Sequence, residues 1–234
     1  MKIALLGYGK MGQTIERFAL ERNHKIVYTA DKNSEKGDLK QADVAINFSV
    51  PEAAVSNIKQ AMQLKIPVVS GTTGWLDKFE EITQFCEEKN TAFLYASNFS
   101  IGVNLFFKLN DLVARLIEPH KEEYRVSIKE IHHVHKLDAP SGTALSLAKP
   151  LLSTDYFKEW ELNGTGLEKL NIEAIREGEV PGKHIVTYHS QVDEISIKHE
   201  AFNRDGFAKG AIIAAEWLAD KKGIFTMQDV LNIS

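Results

Sequence analysis

The chain has 234 residues, 44% hydrophobic and 26% charged, an ordinary soluble composition with room for one large domain or two small ones. A net charge of -4 leaves no basic excess to neutralise phosphates, which argues against a nucleic-acid partner. The single cysteine, Cys86, rules out an intrachain disulfide, and no apolar run approaches the ~20 residues of a membrane span, so the expectation is a cytoplasmic protein without a membrane partner.

At the N-terminus KIALL is a short apolar run, expected as a strand, and glycines interrupt it before signal-peptide length is reached. Met11, Ile15, Phe18 and Ala19 then recur at helical spacing. KIVYTAD and DVAINFS read as the next strands, and Pro51 suits the first turn of the helix that EAAVSNIKQAMQLK continues. IPVVS is a strand ending at GTTG, WLDKFEEITQFCEEK an amphipathic helix, and TAFLYAS a strand. Short apolar strands alternating with helices predict a parallel sheet covered on both faces.

After Ser100 the pattern changes. IGVNLFFKLNDLVARLI is one long helix, and EYRVSIKEIHHV, NIEAIRE, KHIVTYHS and DEISIKHEA then alternate at period two. These strands predict a second, α+β domain of mixed or antiparallel sheet over residues 100–205. FAKGAIIAAEWLAD is helical again and too apolar to stand alone, so residues 206–234 are expected to rejoin residues 1–99.

GYGKMG places Gly7, Gly9 and Gly12 at G-x-G-x-x-G spacing, with Tyr8, Lys10 and Met11 between them. Such glycines can serve packing alone. Here they follow a strand and open a helix, and Asp31 lies 19 residues past Gly12 at the end of the second strand. That context is the fingerprint of a dinucleotide-binding, Rossmann-type α/β sheet. Gly7 permits the tight turn, Gly9 lets the backbone approach a pyrophosphate, and Gly12 lets the helix pack on the strand. Asp31 can accept hydrogen bonds from the ribose of NADH, and Lys32 could reach the 2′-phosphate of NADPH, so use of both is expected. Two more polar turns, Gly71-Thr72-Thr73 and Ala96-Ser97-Asn98-Phe99, follow later strands, at the edge where such sheets bind ligands. Either could also be plain turn chemistry.

The stretch EIHHVHKLDAPSGTAL concentrates three histidines and a lysine ahead of a helix start. If the strand stays extended, His133 and His135 share one face and His132 takes the other. A zinc site would need a third ligand from His184, His189 or His199, and no metal-binding spacing supports one. Histidines on an exposed edge strand are the plain alternative. Acid/base chemistry is the third reading: a histidine titrates near neutrality, and Lys136 in a cleft can give up a proton. Ser141, Gly142 and Thr143 would offer N–H and hydroxyl donors to a carboxylate at the helix start. Cation, anion cradle and dinucleotide together suggest reduction of a small carboxylated substrate.

GYGKMG, GTTG, ASNFSIGVN, FAKGAIIAAEWL and above all HHVHKLDAPSGTAL resemble the 4-hydroxy-tetrahydrodipicolinate reductase (dihydrodipicolinate reductase) family of bacterial lysine and diaminopimelate biosynthesis, over nearly the whole chain. The resemblance implies an NADH- or NADPH-dependent reductase that forms tetrahydrodipicolinate. It implies His132 as acid/base residue, Lys136 as proton donor, and His133, Gly142 and Thr143 holding the substrate carboxylates. It assigns Gly7 to Gly12, Asp31, Gly71 to Thr73 and Ala96 to Phe99 to the cofactor, with no metal, and implies a homotetramer built through the second domain's sheet. One departure stands out: only KNSEKGDLKQA separates Asp31 from DVAINF, shorter than the family leads one to expect, which implies a more open adenosine side. Rival functions are another small dicarboxylate or amino-acid dehydrogenase, or a non-catalytic NAD-binding redox sensor. A sensor has no need of a His132–Lys136 pair.

Overall fold

A computed structural model describes residues 1–154, 156–166 and 168–233. Strand β1 (Lys2–Leu6) is buried except at its first residue, which is why it reads as a continuous apolar run. Helix α1 (Lys10–Glu21) buries Gly12, Ile15, Phe18 and Ala19, one face at helical spacing. Strand β2 (Lys25–Asp31) pairs parallel with β1. A hairpin then brings β3 (Ser34–Gly37) back antiparallel, with Ser34 opposite Asp31. This strand was not expected, and it makes the sheet parallel-dominated rather than wholly parallel. SEKG carries no apolar residue to signal a strand, and the two residues between β2 and β3 allow only an antiparallel return.

Next come β4 (Val44–Asn47), α2 (Pro51–Gln63) with Pro51 in its first turn, β5 (Val68–Ser70), α3 (Phe79–Glu88) and β6 (Ala92–Tyr95). The α3 helix starts later than its amphipathic pattern suggests. Trp75 is held in the preceding turn, its indole N–H donating to the Thr72 carbonyl at 2.7 Å.

The second unit begins with α4 (Ile101–Ile117), followed by β7 (Arg125–His132), α5 (Gly142–Ser153), β8 (Trp160–Leu162), β9 (Leu170–Arg176), β10 (Gly182–His189) and β11 (Glu194–Ala201). Its sheet runs β11-β10-β7-β9-β8, antiparallel at the β10 pairings and parallel across β7-β9-β8. One face, with Val126, Ile128, Ile172, Val186 and Tyr188, packs on Phe106, Ala114, Leu147 and Leu151 of α4 and α5. Asn110 of α4, wholly buried, donates to the Leu147 carbonyl at 2.8 Å and locks the helix pair.

The chain then returns to the first unit with α6 (Asp205–Leu218), β12 (Gly223–Phe225) and α7 (Met227–Leu231). The completed sheet has the order β12-β6-β5-β4-β1-β2-β3. Ala208, Ala211, Ile212, Ala214, Ala215 and Leu218 of α6 share one core with Ile3, Leu5, Val44, Ile46, Val69 and Leu94. The two compact units comprise Met1–Ile101 with Asp205–Ser234, and Gly102–Arg204. Among the described residues no helix is long and apolar enough to cross a membrane.

Candidate active site

In the first unit the strand order switches direction at β1, whose neighbours are β2 and β4, and ligands of such sheets bind outside the strand ends at that point. Gly7 has φ +108°, and a Cβ there would strike the Phe48 carbonyl just past β4. A Cβ on Gly12 would strike the Gly7 carbonyl, so α1 sits directly against the loop. At Gly9 a Cβ would meet nothing. Gly9 is the N-cap of α1 and makes no side-chain cap, so the first-turn N–H groups of Lys10 and Met11 have neither an intrahelical acceptor nor a capping side chain. An open, uncapped helix start fits a pyrophosphate. Tyr8 is turned back along α1, its phenol donating to the Glu16 carboxylate.

Phe48 ties the other two turns to this one, although nothing in the sequence singled it out. A Cβ on Gly71 would meet its ring, and Phe99, buried, packs against it at 5.6 Å between centroids. The Thr72 hydroxyl faces inward, accepting from Ser49 N–H (2.9 Å) and from the buried Asn47 amide (3.3 Å). Thr73 is exposed, Asn98 caps the Ser100 N–H at 2.9 Å, and Ala96 N–H bonds the Ser70 carbonyl at 3.2 Å. Asp31 accepts the Lys32 N–H at 2.8 Å across the hairpin turn, so one carboxylate oxygen shapes the turn that carries Lys32.

In the second unit β7 stops at His132, so His133 and His135 do not share a strand face. The Lys136 N–H instead closes a turn on the His133 carbonyl at 3.1 Å. The strand register gathers the buried groups: Glu130 stands opposite His184 on β10, and His132 opposite Arg176 on β9. Glu130 is wholly buried. Both of its oxygens accept the Ser141 N–H at 3.1 Å and one accepts from Arg176 at 3.2 Å, while His132 Nδ1 and His184 Nε2 lie 3.4 and 3.7 Å away. Burial alone would raise this carboxyl, but His184, Ser141 and the His132 charge outweigh it and hold it at about 2. Burial pushes His132 down to about 4; His184, Lys136 and Arg176 add to that, and Glu130 opposes it. At pH 7 the carboxylate is ionised and the imidazole neutral.

Lys136 Nζ sits 2.7 and 2.8 Å from the Asp138 oxygens. Ser141 caps α5, its Oγ accepting the Ala144 N–H at 3.1 Å and lying 3.2 Å from His184 Nε2. Both its hydroxyl and its N–H are therefore committed inside the protein, and Gly142 and Thr143 carry the first-turn N–H groups that have no intrahelical acceptor. A Cβ at Gly142 would meet nothing. His133 Nε2 is 3.2 Å from Arg204 Nη2. Glu130, Arg176 and Arg204 escaped the sequence reading. Glu130 left a signal, a charge at an inward position of an alternating strand. The arginines left none, because their role depends on which strands are neighbours.

Among the described residues Glu130, His132 and His184 form one group able to hold a metal ion, with ligand atoms within 4.8 Å of one another. Arg176 and the Ser141 N–H already occupy its carboxylate. The other two histidines named as zinc candidates lie elsewhere: His189 approaches Glu194 at 3.5 Å, and His199 stacks on Phe106. A neutral buried imidazole, a charged lysine and an open helix start can together exchange protons with a bound carboxylated molecule and hold its anionic ends.

Comparison with known proteins points the same way. The family models described as dihydrodipicolinate reductase, N-terminus and C-terminus, match residues 1–99 and 102–231. A 4-hydroxy-tetrahydrodipicolinate reductase of Christiangramia forsetii is 52% identical over 99% of this chain and 98% of its own. That of Pelagibacter ubique is 38% identical over 86% of this chain and 80% of its own. The dipicolinate-bound dihydrodipicolinate reductase of Paenisporosarcina sp. TG-14 shares the fold, with a TM-score of 0.80 at 21% identity and 98% coverage of both chains. The chain thus belongs to the dihydrodipicolinate reductase family, pyridine-nucleotide-dependent oxidoreductases of lysine and diaminopimelate biosynthesis that act as 4-hydroxy-tetrahydrodipicolinate reductase.

Proposed function

We propose that residues 1–99 with 206–234 bind NADH or NADPH, and that residues 100–205 hold the dicarboxylate substrate and carry the subunit contacts of a cytoplasmic homotetramer. The bound nucleotide supplies the hydride. The loop Gly7 to Gly12 would hold its pyrophosphate through the N–H groups at the start of α1, with Tyr8, Lys10 and Met11 around it, the Gly7 N–H itself donating to the Ala30 carbonyl at 2.9 Å. Asp31 and Lys32 address its ribose, and Gly71, Thr72, Thr73, Ala96, Ser97, Asn98 and Phe99 shape the rest of the strand-end edge. The substrate carboxylates take Gly142, Thr143 and His133, with Arg204 adding fixed positive charge beside His133 and Ser141 holding the helix start in place. His132, neutral at pH 7, offers an acceptor next to the reacting centre, and Lys136 donates the proton. No metal enters this scheme.

The observation that carries the reading is the neutral His132 within a few residues of a charged Lys136 and the open α5 start. Loss of NADH absorbance with and without freshly generated 4-hydroxy-tetrahydrodipicolinate tests it. Turnover after exhaustive chelation is expected. Nucleotide binding without turnover would favour the sensor, and activity that returns only with zinc would favour the metal.

A further inference from the structure

Glu130 contacts His132, His184 and Ser141, and Arg176 contacts the backbone of Lys136 and Asp138, yet neither is given a reacting role. Arg176 spreads its guanidinium over the Glu130 carboxylate (3.2 Å), the Asp138 carbonyl (2.6 Å) and the Lys136 carbonyl (3.3 Å), while Nη1 holds its own strand at the Ile175 carbonyl (2.9 Å). The loop after β7 is pinned at its near end by His133 N–H on Val180 and Val134 N–H on Gly178. At its far end Ser141 N–H sits on Glu130. Between these anchors the stretch that carries Lys136 is tied by Arg176. Arginine reaches the Lys136 carbonyl from Nε and the other two acceptors from Nη2, whereas a lysine ammonium gathers its three donors on one atom and lacks that fixed spread. Buried ion pairs contribute little net stability, and their best-attested value is in fixing geometry. Geometry is what a proton donor needs, since a misplacement of about 1 Å costs roughly a hundredfold in rate.

We propose that the pair formed by buried Glu130 and half-buried Arg176 is the positioning element for Lys136, setting through the Lys136 and Asp138 carbonyls the stretch of chain that aims its ammonium. The inference rests on the donor role given to Lys136 above. A double-mutant cycle on the full chain separates the two. Arg176→Ala is expected to lower kcat about tenfold or more, with NADH affinity unchanged, and to lower kcat by no more than about twofold when Lys136→Ala is already present. Millimolar guanidinium should restore part of the Arg176→Ala rate and none of the Lys136→Ala rate. If Arg176→Ala does not accumulate as folded protein, Arg176→Lys takes its place, with the same pattern at a smaller factor. Full kcat in the arginine variant, or an equal loss in both backgrounds, overturns the proposal, because a merely structural residue would behave that way. Full kcat in Lys136→Ala instead removes the donor assignment itself.

Discussion

On acidification, two buried groups of the second unit change charge at unusual pH values. His132 titrates near 4 in the folded protein against an ordinary 6.5, so the unfolded chain takes up its proton first and stability falls as pH drops from about 6.5 toward 4. Glu130, held at about 2 against 4.5, contributes stability above pH 4.5 that is lost as pH falls toward 2. The apparent Tm should therefore decline below pH 6.5 in two overlapping stages, and His132→Gln should flatten the upper stage and, by removing a charge that holds Glu130 down, shrink the lower one. A Tm that holds steady from pH 7 to 4.5 would contradict the His132 assignment, and one that holds steady from pH 4.5 to 2 the Glu130 assignment. In catalysis, His132→Ala and Lys136→Ala should each lower kcat at least about tenfold at near-normal NADH affinity, the usual scale for a placed proton-transfer group. At this scale the sequence exposed the residues that sit in one string, His132 to Thr143. It hid Arg176, 46 positions from the Glu130 it pairs with, because that meeting is set by strand register.

Among the elements, the β2–β3 hairpin is the one the proposed function makes responsible for the choice of nucleotide. Asp31 ends one strand, Lys32 stands in the turn, and the exposed β3 strand offers no wall around them. An exposed charge pair is worth only about 0–1 kcal/mol, and tenfold in affinity takes about 1.4 kcal/mol. Use of both nucleotides is therefore expected, with kcat/KM values within about tenfold to thirtyfold of one another. Lys32→Ala should weaken NADPH selectively, less so as salt rises, and Asp31→Ala should hurt NADH more. An equal effect of Lys32→Ala on both would exclude a phosphate contact. The long elements were legible because each carries several turns or pleats of pattern. β3, β8 and β12 escaped because none is a run of buried residues, whereas the equally short β4, β5 and β6 are buried almost throughout and show as apolar runs. The stretch KNSEKGDLKQA read only as a short connection; a strand and a one-turn helix at Leu39–Gln41 fill it.

For the molecule as a whole, the two-part plan followed from the change of period near residue 100 and the apolar tail. Strand order did not, because neighbours in a sheet are chosen by packing across many residues. The second sheet's face away from α4 and α5 is mixed in character rather than apolar. His184, Val186 and Tyr188 turn inward, leaving Ile185 and Thr187 outside beside Ser127 and the Lys129–Glu173 ion pair (2.8 Å). This face is where the proposed assembly would pair by a two-fold axis. Light scattering should give the mass of a tetramer, and Ile185→Glu should reduce it. A monomer at micromolar concentration would set the assembly aside.

The discontinuity of the first unit fixes an order of events during synthesis. Its opening strands leave the ribosome with one side of their sheet only partly covered, by α1, because α6, which completes that cover, is encoded after the whole second unit. The second unit, Gly102–Arg204, is continuous and can complete its core while the first still waits. The half of the protein that is made first is thus finished last. A chain halted before Asp205 should show a protease-resistant second unit attached to an N-terminal half that is digested.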